Sequence, residues 1–273
     1  MTQIFCCALQ KGGVGKTTTA VSLSAGLAYL HSKRVLLIDL DPQGNASMSL
    51  GVKIEELQTS VRNLLTGDVK DFKRLWWDKG DNLKILPANS SLKDIEPELL
   101  GSVDGRFRLK ERLKPILSQF DYIIIDTGPS TGILTQCALI AAHQVIAPID
   151  VGFFSLEGLR QLLETINQVR EHFNPELEIA GILLTKFDSR TKLSEQVEEV
   201  LRRGFPEKAF RTVIKVNVEL IRAQIEKKSI FAVDPDSTGA KDYESLIDEI
   251  LHREQSTKVI PILRRSARGN RKA

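Results

Sequence analysis

The chain has 273 residues, 42% of them apolar and 27% charged, and a net charge of +3. That length and apolar share allow one large α/β domain with a complete core, and the lack of any apolar run of about 18 residues excludes a transmembrane helix. Three cysteines and four scattered histidines give neither a disulfide framework nor a metal-ligand spacing, and no basic-then-apolar leader precedes the first strand, so a reducing, cytoplasmic setting is expected.

The apolar run Ile4 to Leu9 reads as a strand over 3–9, and the amphipathic stretch Ala20 to Leu30 as a helix over 16–31. Between them lies Gln10-Lys-Gly-Gly-Val-Gly-Lys-Thr-Thr-Thr19, in the strand–loop–helix setting that a phosphate-binding loop requires. Gly12, Gly13 and Gly15, with Val14 among them, let backbone N–H groups close around an anion, and the helix starting near Lys16 adds its positive end. Lys16 is placed to reach the β and γ phosphates and Thr17 to offer its hydroxyl to Mg²⁺, with Thr18 next in the loop. The general pattern has glycine where this chain has Gln10, and Lys11 is a second lysine that a plain nucleotide loop does not need.

The strand at 34–40 runs into Asp39-Leu-Asp-Pro-Gln-Gly-Asn45. Asp39 and Asp41 lie two apart and face the same side of an extended chain. Their expected tasks are a water-mediated contact to Mg²⁺ for Asp39 and orientation of the attacking water for Asp41. A helix at 54–65 precedes a polar excursion at 66–82, whose Trp76 and Trp77 either cover a core edge or offer a partner patch. A strand at 83–86 and helices at 92–100 and 106–119 lead to the strand 122–126, which ends in Asp126 as a Walker-B carboxylate does, bound to Mg²⁺ directly or through water. Then come a helix at 132–142, a strand at 144–147, a helix at 156–173, a strand at 178–185, a helix at 192–203, a weak strand at 212–214, and helices at 218–226 and 241–253. Runs such as VLLIDL and IAGILLT are apolar on both faces, so the pattern predicts a doubly wound, mostly parallel sheet with helices on both faces and ligands at the carboxyl ends of the strands. Residues 1–254 read as a single P-loop domain. Residues 255–273 form a basic tail with no acid after Glu254, the composition of a polyanion-binding end or of a solubilising disordered one.

Three motifs together, K-G-G-V-G-K-T-T at 11–18, L-I-D-L-D-P-Q-G-N at 37–45 and the Asp126 strand, resemble the ParA/MinD family of deviant-Walker ATPases. The resemblance covers nearly the whole chain and is closest to the ParA (Soj-like) branch of partition ATPases. Weaker echoes are L-P-A-N at 86–89, L-E-G at 156–158, G-I-L-L-T at 181–185, D-S-R-T at 188–191 and D-P-D-S-T-G-A at 234–240. The resemblance implies a homodimer that sandwiches two ATP molecules with Mg²⁺, Lys11 of one subunit reaching the phosphates held by the other. It implies slow ATP hydrolysis without a stimulating partner, a ParB-like protein in that role, and Pro235 against the adenine. It further implies nonspecific DNA binding on the nucleoid through Arg190, with Arg222, Lys227 and Lys228 as further candidates, for partition of a plasmid or chromosome.

The departures are specific. Where the family carries I-P-R-N-V-R, this chain reads Ile214-Lys-Val-Asn-Val-Glu219, leaving Lys215 as the substitute basic residue. The family's proline pair after the Walker-B Asp is Gly128-Pro129, and its Gln-x-Glu after the fifth strand is Asp150-Val-Gly152. With no helix-turn-helix read before residue 2, a long-form autoregulatory member of the family is not expected. A MinD-like ATPase acting on a membrane surface, or one that positions another cargo, shares the nucleotide motifs. The K-V-I-P-I-L-R-R stretch at 258–265 is the candidate membrane contact, with Pro261 expected to break the helix that such a contact needs.

Overall fold

The computed structural model describes residues 1–69, 71–80 and 82–269, with side chains for all of these but 153, 154 and 257–269. Arg271 and Lys272 of the basic tail lie outside the described residues. The strands are β1 (Gln3–Cys7), β2 (Val35–Leu40), β3 (Trp77–Asp78), β4 (Leu83–Leu86), β5 (Tyr122–Thr127), β6 (Gln144–Ile149), β7 (Glu178–Phe187) and β8 (Ala209–Lys215). They form one sheet in the order β3-β4-β2-β5-β1-β6-β7-β8. Every pairing is parallel except that of β3 with β4.

The helices are α1 (Lys16–Tyr29), α2 (Asn45–Ser49), α3 (Val61–Thr66), α4 (Glu96–Gly101), α5 (Arg108–Leu113), α6 (Ile133–Ala141), α7 (Phe153–His172), α8 (Lys192–Gly204), α9 (Val218–Ile225), α10 (Ile230–Val233) and α11 (Thr238–Gly269). They cover both faces, as the apolar strands require. All six residues of β2 and of β5 are buried. Alternate residues serve opposite layers: Cys6, Ile38 and Ile125 face α5, α6 and α7, while Phe5, Leu37 and Ile124 face α1 and α11. Each fully buried aliphatic side chain contributes about 1.5–3 kcal/mol, so these two layers, rather than the turns, hold the sheet. Cys6, Cys7 and Cys137 are buried, unpaired thiols within them.

The strand pattern agrees with the sequence reading, and the differences have local causes. The helix expected at 54–65 splits into a 3-10 turn, Ile54–Glu56, and α3. Ser60 ends the first piece by capping the second: its Oγ accepts from the Arg62 amide while its own amide donates to Asn63 Oδ1, at 3.3 and 2.9 Å. The helix expected at 106–119 keeps α-form only over α5 and tightens to a 3-10 stretch, Lys114–Gln119, with a proline at its start. Strand β3 is two residues long, too short to show a period. Of the tryptophan pair, Trp76 is buried edge-on against Phe120 and closes the core there, whereas Trp77 is 39% exposed on the sheet's edge strand. Helix α11 continues past residue 253 and through Pro261 to Gly269. A proline within a helix removes one hydrogen bond and bends the rod without ending it.

Candidate phosphate-binding site

The loop after β1 turns at Gly13 and Gly15, whose φ values of 76° and 88° are left-handed and favour glycine. Gly15 caps α1, whose first turn carries no acidic side chain, so the helix presents an uncompensated positive end to the cleft. Thr185, at the end of β7, pins the loop from below: its Oγ1 lies 2.8 Å from the Val14 carbonyl and 3.0 Å from that of Ile149. The loop opens on a cleft of about 560 Å³. One wall holds Gly12, Gly13 and Gly15 to Thr18, the second holds Asp41 and Thr127, and the third holds Lys215 to Asn217 with Leu220, Ile221 and Gln224.

Both loop lysines have partners within the chain. Lys16 is only 6% exposed, and its Nζ donates to the Lys11 carbonyl at 2.7 Å. Burial pushes the Lys16 ammonium down, and the charges of Asp126 and Asp41 oppose that. Lys11 Nζ contacts Asp150 Oδ1 and Oδ2 at 2.9 and 3.2 Å and Ser155 Oγ at 3.0 Å. Burial alone would raise the Asp150 carboxyl, but hydrogen bonds from Ser155, Lys11 and the Gly152 amide outweigh it and hold the group below the usual range.

The three site aspartates have different surroundings. Asp39 and Asp126 are register neighbours on β2 and β5, and both are fully buried. Among the described residues no well-formed hydrogen bond reaches either Asp126 oxygen, and the Thr17 hydroxyl is the side-chain donor that acts on it. Burial and then the charge of Asp39 push it well above the carboxylate range, with Thr17 and Lys16 opposing. An orphaned buried carboxylate beside a loop threonine suits a hard divalent cation. Among the described residues no group of three His, Cys, Asp or Glu could hold a metal alone, so such an ion fits only with phosphate and water oxygens completing its shell.

Asp39, for which a water-mediated contact to Mg²⁺ is expected, is held by protein donors. Its Oδ2 accepts from the Ser47 amide and hydroxyl at 2.8 and 2.7 Å, and its Oδ1 from the Asp41 amide at 3.2 Å. Burial raises its pKa against these bonds. It lies outside the cleft lining and holds the turn that carries Asp41. Asp41 does reach the cleft, its Oδ1 accepting from the Gln43 amide at 2.9 Å. A Cβ on Gly128 would stand 3.3 Å from the Asp41 carboxylate, so the Gly128-Pro129 departure makes room for that side chain. Ser47→Ala removes one acceptor-directed hydroxyl from Asp39 and the oxygen that accepts the buried Ala88 amide. It is expected to cost about 1–3 kcal/mol, read as a lower urea midpoint at unchanged slope.

The adenine-side residue and the basic residues expected from the sequence have the following surroundings. Pro235 is not part of the cleft lining. Its segment backs onto Asn217 and Leu220, which a Cβ on Gly239 would strike, behind the wall formed by Val216, Asn217 and α9. The basic residues do not form one bare patch. Lys215 lines the cleft rather than facing away from it, and its Nζ pairs with Asp242 at 2.9 Å. Arg222 bridges Glu219 and Glu226 at 3.0 and 2.8 Å, and Lys228 lies 3.9 Å from Glu226. Arg190, its side chain 85% exposed, forks onto Asp188 at 2.9 and 2.8 Å. Lys227 sits in a left-handed turn at φ 57°.

Sequence reasoning gave no role to Asp150 and Thr185, which it named only within a departure and an echo, and missed Ser155 and Gln224, whose Nε2 donates to Thr18 Oγ1 at 2.9 Å. For Thr185 a signal existed, since it is the polar residue that closes the apolar run G-I-L-L-T at 181–185 within β7.

Residues 2–179 match the family model described as AAA domain. The chain is 43% identical over 241 residues to the sporulation initiation inhibitor protein Soj of Bacillus subtilis (strain 168), covering 88% of this chain and 95% of that one. It is 40% identical over 252 residues to the chromosome partitioning protein ParA of Myxococcus xanthus, covering 92% and 89%. Among solved structures it superposes with a TM-score of 0.82 and 35% identity on cobyrinic acid a,c-diamide synthase from Mycobacterium smegmatis with bound ADP and magnesium, covering 94% of this chain and 97% of that one.

Proposed function

The chain belongs to the ParA/MinD family of P-loop ATPases, and from that premise we propose that it is a partition ATPase that closes as a dimer around ATP, binds DNA without sequence preference in that state, and is reset by hydrolysis. The observation that carries this reading is the second lysine, Lys11, at the rim of a phosphate loop that already has Lys16. In this reading Lys16 and the loop amides bind the phosphates of ATP in cis, and Thr17 and Asp126 hold Mg²⁺, which neutralises phosphate charge. Asp41, on the turn fixed by Asp39 and Ser47, orients the attacking water. Lys11 meets the phosphates of the partner subunit's nucleotide. A ParB-like protein accelerates turnover.

DNA contacts fall to Arg190, Arg222, Lys227 and Lys228, and not to Lys215. Their ion pairs are no obstacle. Exposed pairs are worth about 0–1 kcal/mol, so a DNA phosphate replaces the carboxylate at little cost.

The test is DNA retention by the full chain with ADP, ATP or a slowly hydrolysed analogue, across a salt series. Retention is expected with ATP and the analogue but not with ADP, with log affinity falling linearly in log salt as counterions are released. Failure to retain DNA with ATP at low salt would remove the DNA-binding part of the proposal.

A further inference from the structure

Lys11 has one chemical requirement under the dimer reading: its ammonium must be able to leave its own subunit. In the single chain it has no unmet need to do so. An ammonium has three donors, and those of Lys11 find Asp150 Oδ1 and Oδ2 at 2.9 and 3.2 Å and Ser155 Oγ at 3.0 Å. The pair is partly buried, with side chains 25% and 16% exposed, so it is screened less than a surface pair. Ser155 also donates to Asp150 Oδ1, which ties the first turn of α7 to the same carboxylate.

Gly152 makes this arrangement fit. Its φ is −79°, open to any residue, so the backbone does not call for glycine. Space does: a Cβ at this position would stand 2.9 Å from Lys11 Nζ and 3.0 Å from Asp150 Oδ1. The charge at 150 and the missing Cβ at 152 therefore serve one purpose. When Lys11 leaves, Asp150 keeps Ser155 and the Gly152 amide, the latter at 3.0 Å, so the vacated carboxylate is not left bare.

We propose that Asp150, Gly152 and Ser155 form a clasp that parks Lys11 in the single chain and thereby raises the nucleotide concentration at which the dimer closes. The proposal rests on the dimer reading above and deepens it by naming what regulates Lys11. Asp150 and Ser155 are positioning residues, acting through the lysine. The clasp stabilises the open single chain, and a partner's phosphate must outcompete it.

The experiment titrates the full chain with ATPγS and reads the dimer fraction by sedimentation. D150N removes the charge, and G152A keeps the charge but displaces the lysine. Both are expected to reach half-dimer at roughly three- to tenfold lower analogue concentration than the unaltered chain, with the circular dichroism spectrum unchanged. A merely structural role is separated by the lysine-free background: K11A/D150N is expected to match K11A in both dimer fraction and analogue affinity. The clasp is overturned if the unaltered chain dimerises but D150N and G152A do so no more readily, or less readily. It is also overturned if D150N still acts without Lys11. If the unaltered chain stays monomeric with saturating analogue, the dimer reading itself fails and takes the clasp with it.

Discussion

Lys16→Ala is expected to lower ATP affinity by about two orders of magnitude, the equivalent of one to two charge-assisted hydrogen bonds at about 1.5–3 kcal/mol each. The side chain is 6% exposed and directed inside the loop, where its Nζ reaches the Lys11 carbonyl at 2.7 Å. Nothing else on the loop delivers a full positive charge from within, because Lys11 is held by Asp150. Alanine leaves the glycine backbone and the α1 terminus in place, so the fold should persist and only the phosphate grip should be lost. Titration with a fluorescent ATP analogue measures this directly. Ordinary affinity in the variant would refute the assignment of the loop.

Lys11→Ala has the opposite signature. Binding of ATP by a single chain should survive, because Lys16, the loop amides and Thr17 remain. Dimerisation driven by ATP should be lost, and turnover should fall by roughly 10³-fold or more, as when a cation supplied in trans is removed from a phosphoryl-transfer site. Sedimentation with ATP and a phosphate-release assay read the two effects separately. A variant that dimerises and hydrolyses normally would show that the second lysine serves no trans contact.

The nucleotide loop was legible in the sequence because its chemistry is local. Glycine spacing, an apolar strand before it and a helix after it are all adjacent in the chain. The sheet was legible for a related reason, since strands buried on both faces read as unbroken apolar runs. What escaped was non-local or too short to show a period. Asp150 and Lys11 are 139 positions apart, and only the β1–β6 pairing brings them together. Asp39 and Asp41 look equivalent as a spaced pair, yet Ser47 eight positions on engages one of them and leaves the other to the cleft. The ion pairs of Arg190, Arg222 and Lys228, by contrast, are with carboxylates two to four positions away and could have been read from the sequence.

The three buried thiols have a practical consequence. Burial raises Cys6, Cys7 and Cys137, the last to about 12, so almost none of their thiolate, the reactive form, exists near neutral pH. The folded chain is therefore expected to react little with maleimides and mild oxidants. A single cysteine introduced on an exposed position, such as Ile225 on α9, 74% exposed, would take a probe without competition from its own thiols. Fluorescent reporters of opening and closing can be attached to the unaltered core, with no need for a cysteine-free background.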